Sequence, residues 1–140
     1  MVGLVLVSHS RALAQAVLEL ARGVSAEEFI PIAAAGGTGE NHSGLGTDAT
    51  DIMEAVEKVY SKDGVLVLMD LGSSVLSSQM ALELLGEEKA KNIFLCSAPL
   101  VEGAIGAAVQ IAAGSPAADV KDEALHALEG KQDQIGDFRA

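Results

Sequence analysis

The sequence predicts an α/β fold: one domain on a four-stranded parallel sheet, with helices on both faces and room for one extra edge strand. Three observations predict it. Short apolar runs alternate along the chain with segments of helical period, the pattern of strands joined by crossover helices. The runs are continuously apolar rather than alternating, as expected of parallel strands buried on both faces. Only Phe29, Phe94, Phe138 and Tyr60 are aromatic, so a core drawn from the 49% apolar residues must be layered from Val, Leu, Ile and Ala.

Taken in order, Leu4–Ser8 reads as the first strand and stops at the polar Ser8-His9-Ser10 turn. A helix from Arg11 to Arg22 follows, with Leu13, Ala16, Val17 and Leu20 as its apolar stripe and Gly23 closing it. The second strand is expected over Phe29–Ala34, and the glycine-rich stretch Gly36–Gly46 then forms the widest irregular segment. Thr47 can cap the second helix ahead of Asp48, and Ile52, Met53, Val56, Val59 and Tyr60 form its stripe. Val65–Asp70 is the third strand. The third helix, Ser74 to Leu85, carries Val75, Leu76 and Met80 and ends at Gly86. Ile93–Ser97 is the fourth strand. The fourth helix, Leu100 to Ala113, carries Val101, Ile105, Ala108, Val109 and Ala112 before Gly114. A fifth, Ala117 to Leu128, carries Val120, Ala124, Leu125 and Leu128. The domain is expected over residues 1–129, with 130–140 as a polar tail that loses periodicity and frays.

A net charge of −11, from 20 acidic and 9 basic residues, argues against nucleic acid and anionic membranes as partners, since both reward clustered Lys and Arg. Proteins and small molecules are the expected partners. Cys96, the only cysteine, sits in the apolar run Ile93-Phe94-Leu95-Cys96 and is expected to be a buried, inert thiol. No basic segment precedes the first strand, and no apolar stretch approaches the roughly 20 residues of a membrane span, so a cytoplasmic location is expected.

His9 is the leading candidate for chemistry. In open α/β sheets ligands gather outside the carboxyl ends of the strands, where this imidazole stands at the start of a helix. Asp70 ends the apolar run Val65-Leu66-Val67-Leu68-Met69, where a carboxylate is costly without a partner. If its strand neighbours the first, Asp70 accepts a hydrogen bond from Nδ1–H of His9 and leaves Nε2 as a free lone pair able to attack phosphorus. Gly72 would admit backbone N–H groups, and Ser73, Ser74 and Thr47 would add hydroxyl donors. No metal is required.

Plainer readings stand beside these: His9 as a hydrogen-bonded turn residue, and Asp70 as the N-cap of the third helix. His42 and His126 are expected to face solvent, the former in a mobile polar loop, and neither has a second ligand at zinc spacing. The chain contains no G-x-x-x-x-G-K-[ST] and no G-x-S-x-G, and Ser8-His9 stands where a receiver-type phospho-aspartate would want acidic residues. Histidine phosphorylation survives these exclusions.

Four motifs go further: Leu4-Val5-Leu6-Val7-Ser8-His9-Ser10, Gly46-Thr47-Asp48-Ala49, Met69-Asp70-Leu71-Gly72-Ser73 and Ala98-Pro99-Leu100-Val101-Glu102-Gly103-Ala104. Over roughly Met1 to Leu128 the chain resembles the mannose-type IIA domains of the sugar phosphotransferase system and, among them, the DhaM family of bacterial dihydroxyacetone kinase phosphotransferase subunits. The resemblance implies a relay in which HPr gives its phosphoryl group to His9, which passes it to ADP on a DhaL partner, while DhaK holds dihydroxyacetone. It implies that Asp70 orients His9 and that Thr47, Gly72 and Ser73 lie near the phosphoryl group; Ser10, next to His9, is a further phosphoryl-binding candidate. No cofactor is expected on this chain, because ADP and ATP belong to DhaL; a homodimer is implied. The family's longer members carry further phosphocarrier domains, so this chain is expected to rely on separate HPr and enzyme I. Two alternatives remain: a IIA component of a mannose-type permease that phosphorylates a IIB protein, and a non-catalytic module whose binding depends on phosphorylation. A phosphate contact by Arg11 is suggested only by its proximity to His9.

Overall fold

The computed structural model describes residues 1–25, 29–136 and 138. Its elements are β1 (Gly3–Ser8), α1 (Arg11–Ser25), β2 (Ile32–Gly36), α2 (Ala49–Val59), β3 (Val65–Met69), α3 (Ser73–Leu85), a short α4 (Glu87–Ala90), β4 (Ile93–Cys96), α5 (Leu100–Ala112) and α6 (Ala117–Ile135). The four strands form one parallel sheet in the order β2-β1-β3-β4. The chain leaves β1 toward β2 and returns on the other side at β3, so the β1/β3 boundary is the topological switch point, where such sheets open a crevice beyond their carboxyl ends.

Residue type sorts the two layers. Leu4, Leu6, Leu66 and Leu68 point to the face covered by α1, α5 and α6, while Val5, Val7, Val65 and Val67 point to the face covered by α2. Each such side chain fully buried contributes about 1.5–3 kcal/mol, which is why the strands read as continuous apolar runs.

α2 buries Ile52, Val56 and Val59 of its expected stripe, but the stripes of α1, α3 and α5 need correction. α1 buries Ala14, Val17, Leu18 and Ala21, leaving Leu13 and Leu20 half exposed. α5 buries Gly103, Ala104, Ala107, Ala108 and Ile111, not Val101 or Val109. α3 is the clearest case: Ser74, Ser78 and Ala81 face inward, while Leu76, Met80 and Leu84 are 68%, 56% and 57% exposed. Close packing sets the contact in α5, where a Cβ on Gly103 would fall 2.9 Å from the Ala98 Cβ and 3.4 Å from a Leu68 methyl. α3 packs on α2 instead of the sheet, and its inward Ser74 is held by the Asp70 carboxylate.

Several boundaries also move. β2 begins at Ile32 rather than Phe29, because Pro31 has no N–H to give to a ladder; its carbonyl accepts from Leu4, and Phe29 turns outward beneath the Arg22 guanidinium, 5.3 Å from its ring centroid. α1 runs through Gly23 to Ser25, whose hydroxyl donates to the Arg22 carbonyl. α6 continues past Leu128 to Ile135, tied to α5 by the ion pair between Lys131 and Glu102; Asp137, Arg139 and Ala140 of the expected tail lie outside the described residues. Cys96 is a buried free thiol. Among the described residues no helix is long and apolar enough to cross a membrane.

Candidate functional site

The parallel register pairs Val7 with Met69, so the next residues of both strands leave the sheet side by side. That places Asp70 against the Ser8-His9-Ser10 turn, and its carboxylate is the centre of the site. It accepts from the Ser8 hydroxyl at 2.9 Å, the His9 backbone N–H at 2.9 Å, the Leu71 backbone N–H at 2.7 Å and the Ser74 hydroxyl. The Nδ1 of His9 lies 3.1 and 3.2 Å from its two oxygens. Burial alone would raise the Asp70 carboxyl, but the hydrogen bonds from Ser74, His9 and Leu71 outweigh it and hold the group well below the usual carboxylate range.

Because that carboxylate is ionised and can only accept, Nδ1 of His9 carries the proton between them. Nε2 is then the lone-pair nitrogen, and the Ser73 hydroxyl donates to it at 2.8 Å. The imidazole is about one-third exposed, whereas Asp70 is 17% exposed: the ring is reachable from solvent and the carboxylate that holds it is sheltered. The N-cap reading of Asp70 is thereby set aside, since α3 starts from Gly72, whose φ of 58° only glycine adopts readily. A side chain there would meet open space, so conformation rather than crowding requires the glycine.

Of the remaining candidates, Thr47 reaches the ring only through Ser73, and the Ser10 hydroxyl turns to α1. Thr47 does not cap α2; Asp48 does, accepting from the Thr50 N–H at 2.9 Å. The Thr47 hydroxyl instead reaches α3, 3.1 Å from the Ser73 carbonyl, 3.3 Å from the Ser73 hydroxyl and 2.7 Å from the Ser77 hydroxyl. The Ser10 hydroxyl accepts from the Leu13 N–H at 3.2 Å and is engaged as the cap of α1. It is α3, through its first residue Ser73, that meets Nε2, although α1 follows His9 directly in sequence.

Arg11 is not turned to the ring. Its Nη2 donates to Asp51 at 2.7 Å and its Nε to the Gly36 carbonyl at 3.0 Å. His42 is likewise held rather than loose: its Nδ1 lies 3.4 Å from the Gly37 carbonyl and 3.9 Å from Asp51. Sequence reasoning missed Ser8, Ser77 and Asp51. The signal for Ser8 was its place as the last residue of β1; Asp51, in the first turn of a helix, looks like any acidic residue favoured by the helix dipole.

With this geometry in hand, residues 3–121 match the model of the family described as PTS system fructose IIA component, EIIA-man. The chain belongs to that family. Among curated relatives of this IIA domain, the phosphoryl donor subunit DhaM of the PEP-dependent dihydroxyacetone kinase of Escherichia coli (strain K12) is 48% identical over 136 residues, covering 97% of this chain and 29% of the relative. The PTS-dependent dihydroxyacetone kinase phosphotransferase subunit DhaM of Lactococcus lactis subsp. lactis is 34% identical over 121 residues, covering 86% of this chain and 91% of the relative. The IIA domain thus spans under a third of the first relative and nearly all of the second. A crystal structure of a protein of unknown function, EF1359, superposes with a TM-score of 0.78 at 33% identity, covering 90% of this chain and 95% of that one. A sigma-54 interaction domain protein from Enterococcus faecalis shares the fold alone, with a TM-score of 0.67 at 18% identity.

Proposed function

We propose that this IIA domain is the phosphoryl-carrying unit of a dihydroxyacetone kinase system: His9 accepts a phosphoryl group from phospho-HPr and passes it to ADP held by a DhaL subunit, in the cytoplasm. The observation that carries the reading is the His9 ring held between Asp70 at Nδ1 and Ser73 at Nε2. In the first step the Nε2 lone pair attacks phosphorus as the donor's N–P bond breaks, and the departing imidazole keeps its electron pair. Nδ1 keeps its proton, so the phosphorylated ring is cationic and Asp70 stabilises that charge. In the second step a terminal phosphate oxygen of ADP attacks the same phosphorus, the Nε2–P bond breaks, and the lone pair returns to Nε2. Positioning and fixed dipoles do the catalysis.

Ser73 has two partners over this cycle. At rest its hydroxyl covers the Nε2 lone pair; on attack it must release that lone pair, and a phosphoryl oxygen becomes its next acceptor. Since only interactions stronger in the transition state accelerate the reaction, the resting bond partly offsets the gain. Ser73→Ala is therefore expected to slow phosphoryl uptake about 10-fold, less than the roughly 100-fold or more of a pure oxyanion donor. Rapid-quench uptake kinetics check this; a rate equal to wild type would remove Ser73 from the transition state.

The relatives are named as subunits of dihydroxyacetone kinases, which favours a kinase partner over a IIB protein as acceptor, and DhaL-bound ADP is the acceptor we infer. HPr, enzyme I and phosphoenolpyruvate should label His9, and adding DhaL-ADP should chase the label into ATP. Chase into a IIB protein with no ATP formed would replace this reading by a permease role, and binding of DhaL without any chase would leave a non-catalytic module. A homodimer accompanies the proposal, supported by the aliphatic side chains that α3 turns outward; sedimentation equilibrium at micromolar concentration checks it.

A further inference from the structure

Arg11 opens α1 and Asp51 lies in the first turn of α2, and the two meet across the end of β2 with side chains 34% and 12% exposed. Between them they take both backbone groups of Gly36. Its N–H donates to Asp51 at 3.0 Å, and its carbonyl accepts from Arg11 at 3.0 Å. The Gly36 backbone is flush against the end of β1, where a Cβ would lie 2.3 Å from the Ser8 carbonyl oxygen.

From Gly36 a short series of contacts leads to the reacting ring. The Gly37 N–H donates to the Gly46 carbonyl at 2.8 Å, and the Gly46 N–H donates to the His9 carbonyl at 2.9 Å. Thr47, next in sequence, carries the hydroxyl that meets Ser73 and Ser77. His9 is thus held from both flanks: Asp70 takes its N–H and ring from the β3 side, and Gly46 takes its carbonyl from the β2 side.

We propose that the Arg11–Asp51 pair is a positioning device for phosphoryl transfer, clamping the Gly36 backbone so that the 37–46 loop holds the His9 carbonyl and presents Thr47 to Ser73. Neither residue touches the reacting nitrogen. Arginine suits the task because its planar fork serves the carboxylate and the carbonyl together, which the single ammonium of lysine cannot do in the same geometry. The inference rests on His9 as the phosphoryl carrier, but the clamp itself can be read without any phosphoryl donor.

Arg11→Lys, Asp51→Asn and the double variant test it by two measurements. Amide hydrogen exchange at Gly46 is expected to quicken at least ~10-fold in each variant, because the bond to the His9 carbonyl loosens. In uptake from phospho-HPr, kcat is expected to fall roughly 10–100-fold with KM within about twofold, since displacement rather than lost binding is the defect. The double variant should match the worse single variant, as expected of one coupled unit. Unchanged Gly46 exchange, a rise in KM with kcat intact, or additive losses would each overturn the clamp, the second by making Arg11 a direct contact to the donor. If wild type takes up no phosphoryl group, the His9 proposal fails while Gly46 exchange still decides the clamp.

Discussion

His9→Gln is expected to reduce phosphoryl uptake from phospho-HPr to background, a loss of at least ~1,000-fold, while leaving the fold intact. Glutamine can place an amide near Asp70, so the hydrogen-bond network around that carboxylate keeps a donor, but no side-chain atom then has a nucleophilic lone pair at the Nε2 position. The side chain is about one-third exposed, so its replacement leaves no buried cavity and should change stability by less than about 1 kcal/mol. Peptide mapping under alkaline conditions, which preserve a phosphoramidate, locates the group in wild type. Label persisting in His9→Gln at the wild-type rate would move the chemistry elsewhere, with His42 the first place to look.

Asp70→Asn is expected to affect both rate and stability. The amide can turn its NH2 toward His9 and stabilise the opposite tautomer, in which Nε2 bears the proton and cannot attack; the charge that balances the cationic phosphorylated ring is also gone. A fall of about 100- to 10,000-fold in kcat is expected. The same substitution faces an N–H-bearing group toward the donors of Ser8, Ser74, His9 and Leu71, so about 1–3 kcal/mol of stability should be lost at neutral pH.

That difference depends on pH with a definite sign. The folded-state carboxyl of Asp70 lies below its ordinary value of 3.8, so it contributes stability above that pH and loses it as pH falls toward the folded value. Wild type and Asp70→Asn should therefore differ most in denaturant midpoint at neutral pH and converge in strong acid. A gap that stayed constant from pH 7 to pH 2 would mean the carboxylate charge is not what the five donors recognise.

Much of this site was legible before any coordinates. A histidine ending one buried strand and an aspartate ending another point to the same rim of a parallel sheet, because right-handed crossovers bring all strand ends to one edge. His9 and Asp70 could be paired on that ground, and Thr47, Gly72 and Ser73 placed nearby. What the local pattern did not distinguish was which hydroxyl serves which partner. Ser8, Ser10, Ser73, Ser74 and Ser77 are chemically alike in sequence; in the fold they become, in turn, a donor to Asp70, a helix cap, a cover for Nε2, a second donor to Asp70 and a partner of Thr47.

The sequence by itself determined the strands, the order of the strands and main helices, the fold class and the candidate histidine, because strand burial on both faces and the polar stop at Ser8-His9-Ser10 are written in neighbouring residues. Only the tertiary structure decided which face of each helix is buried and what Arg11, Asp51 and the glycine-rich loop do. In α1, α3 and α5 both faces carry apolar or small residues, so hydrophobicity alone does not choose between them; close packing against the neighbouring element does, the sheet for α1 and α5 and α2 for α3. Arg11 and Asp51 lie 40 residues apart and meet only because the sheet sets β2 beside β1.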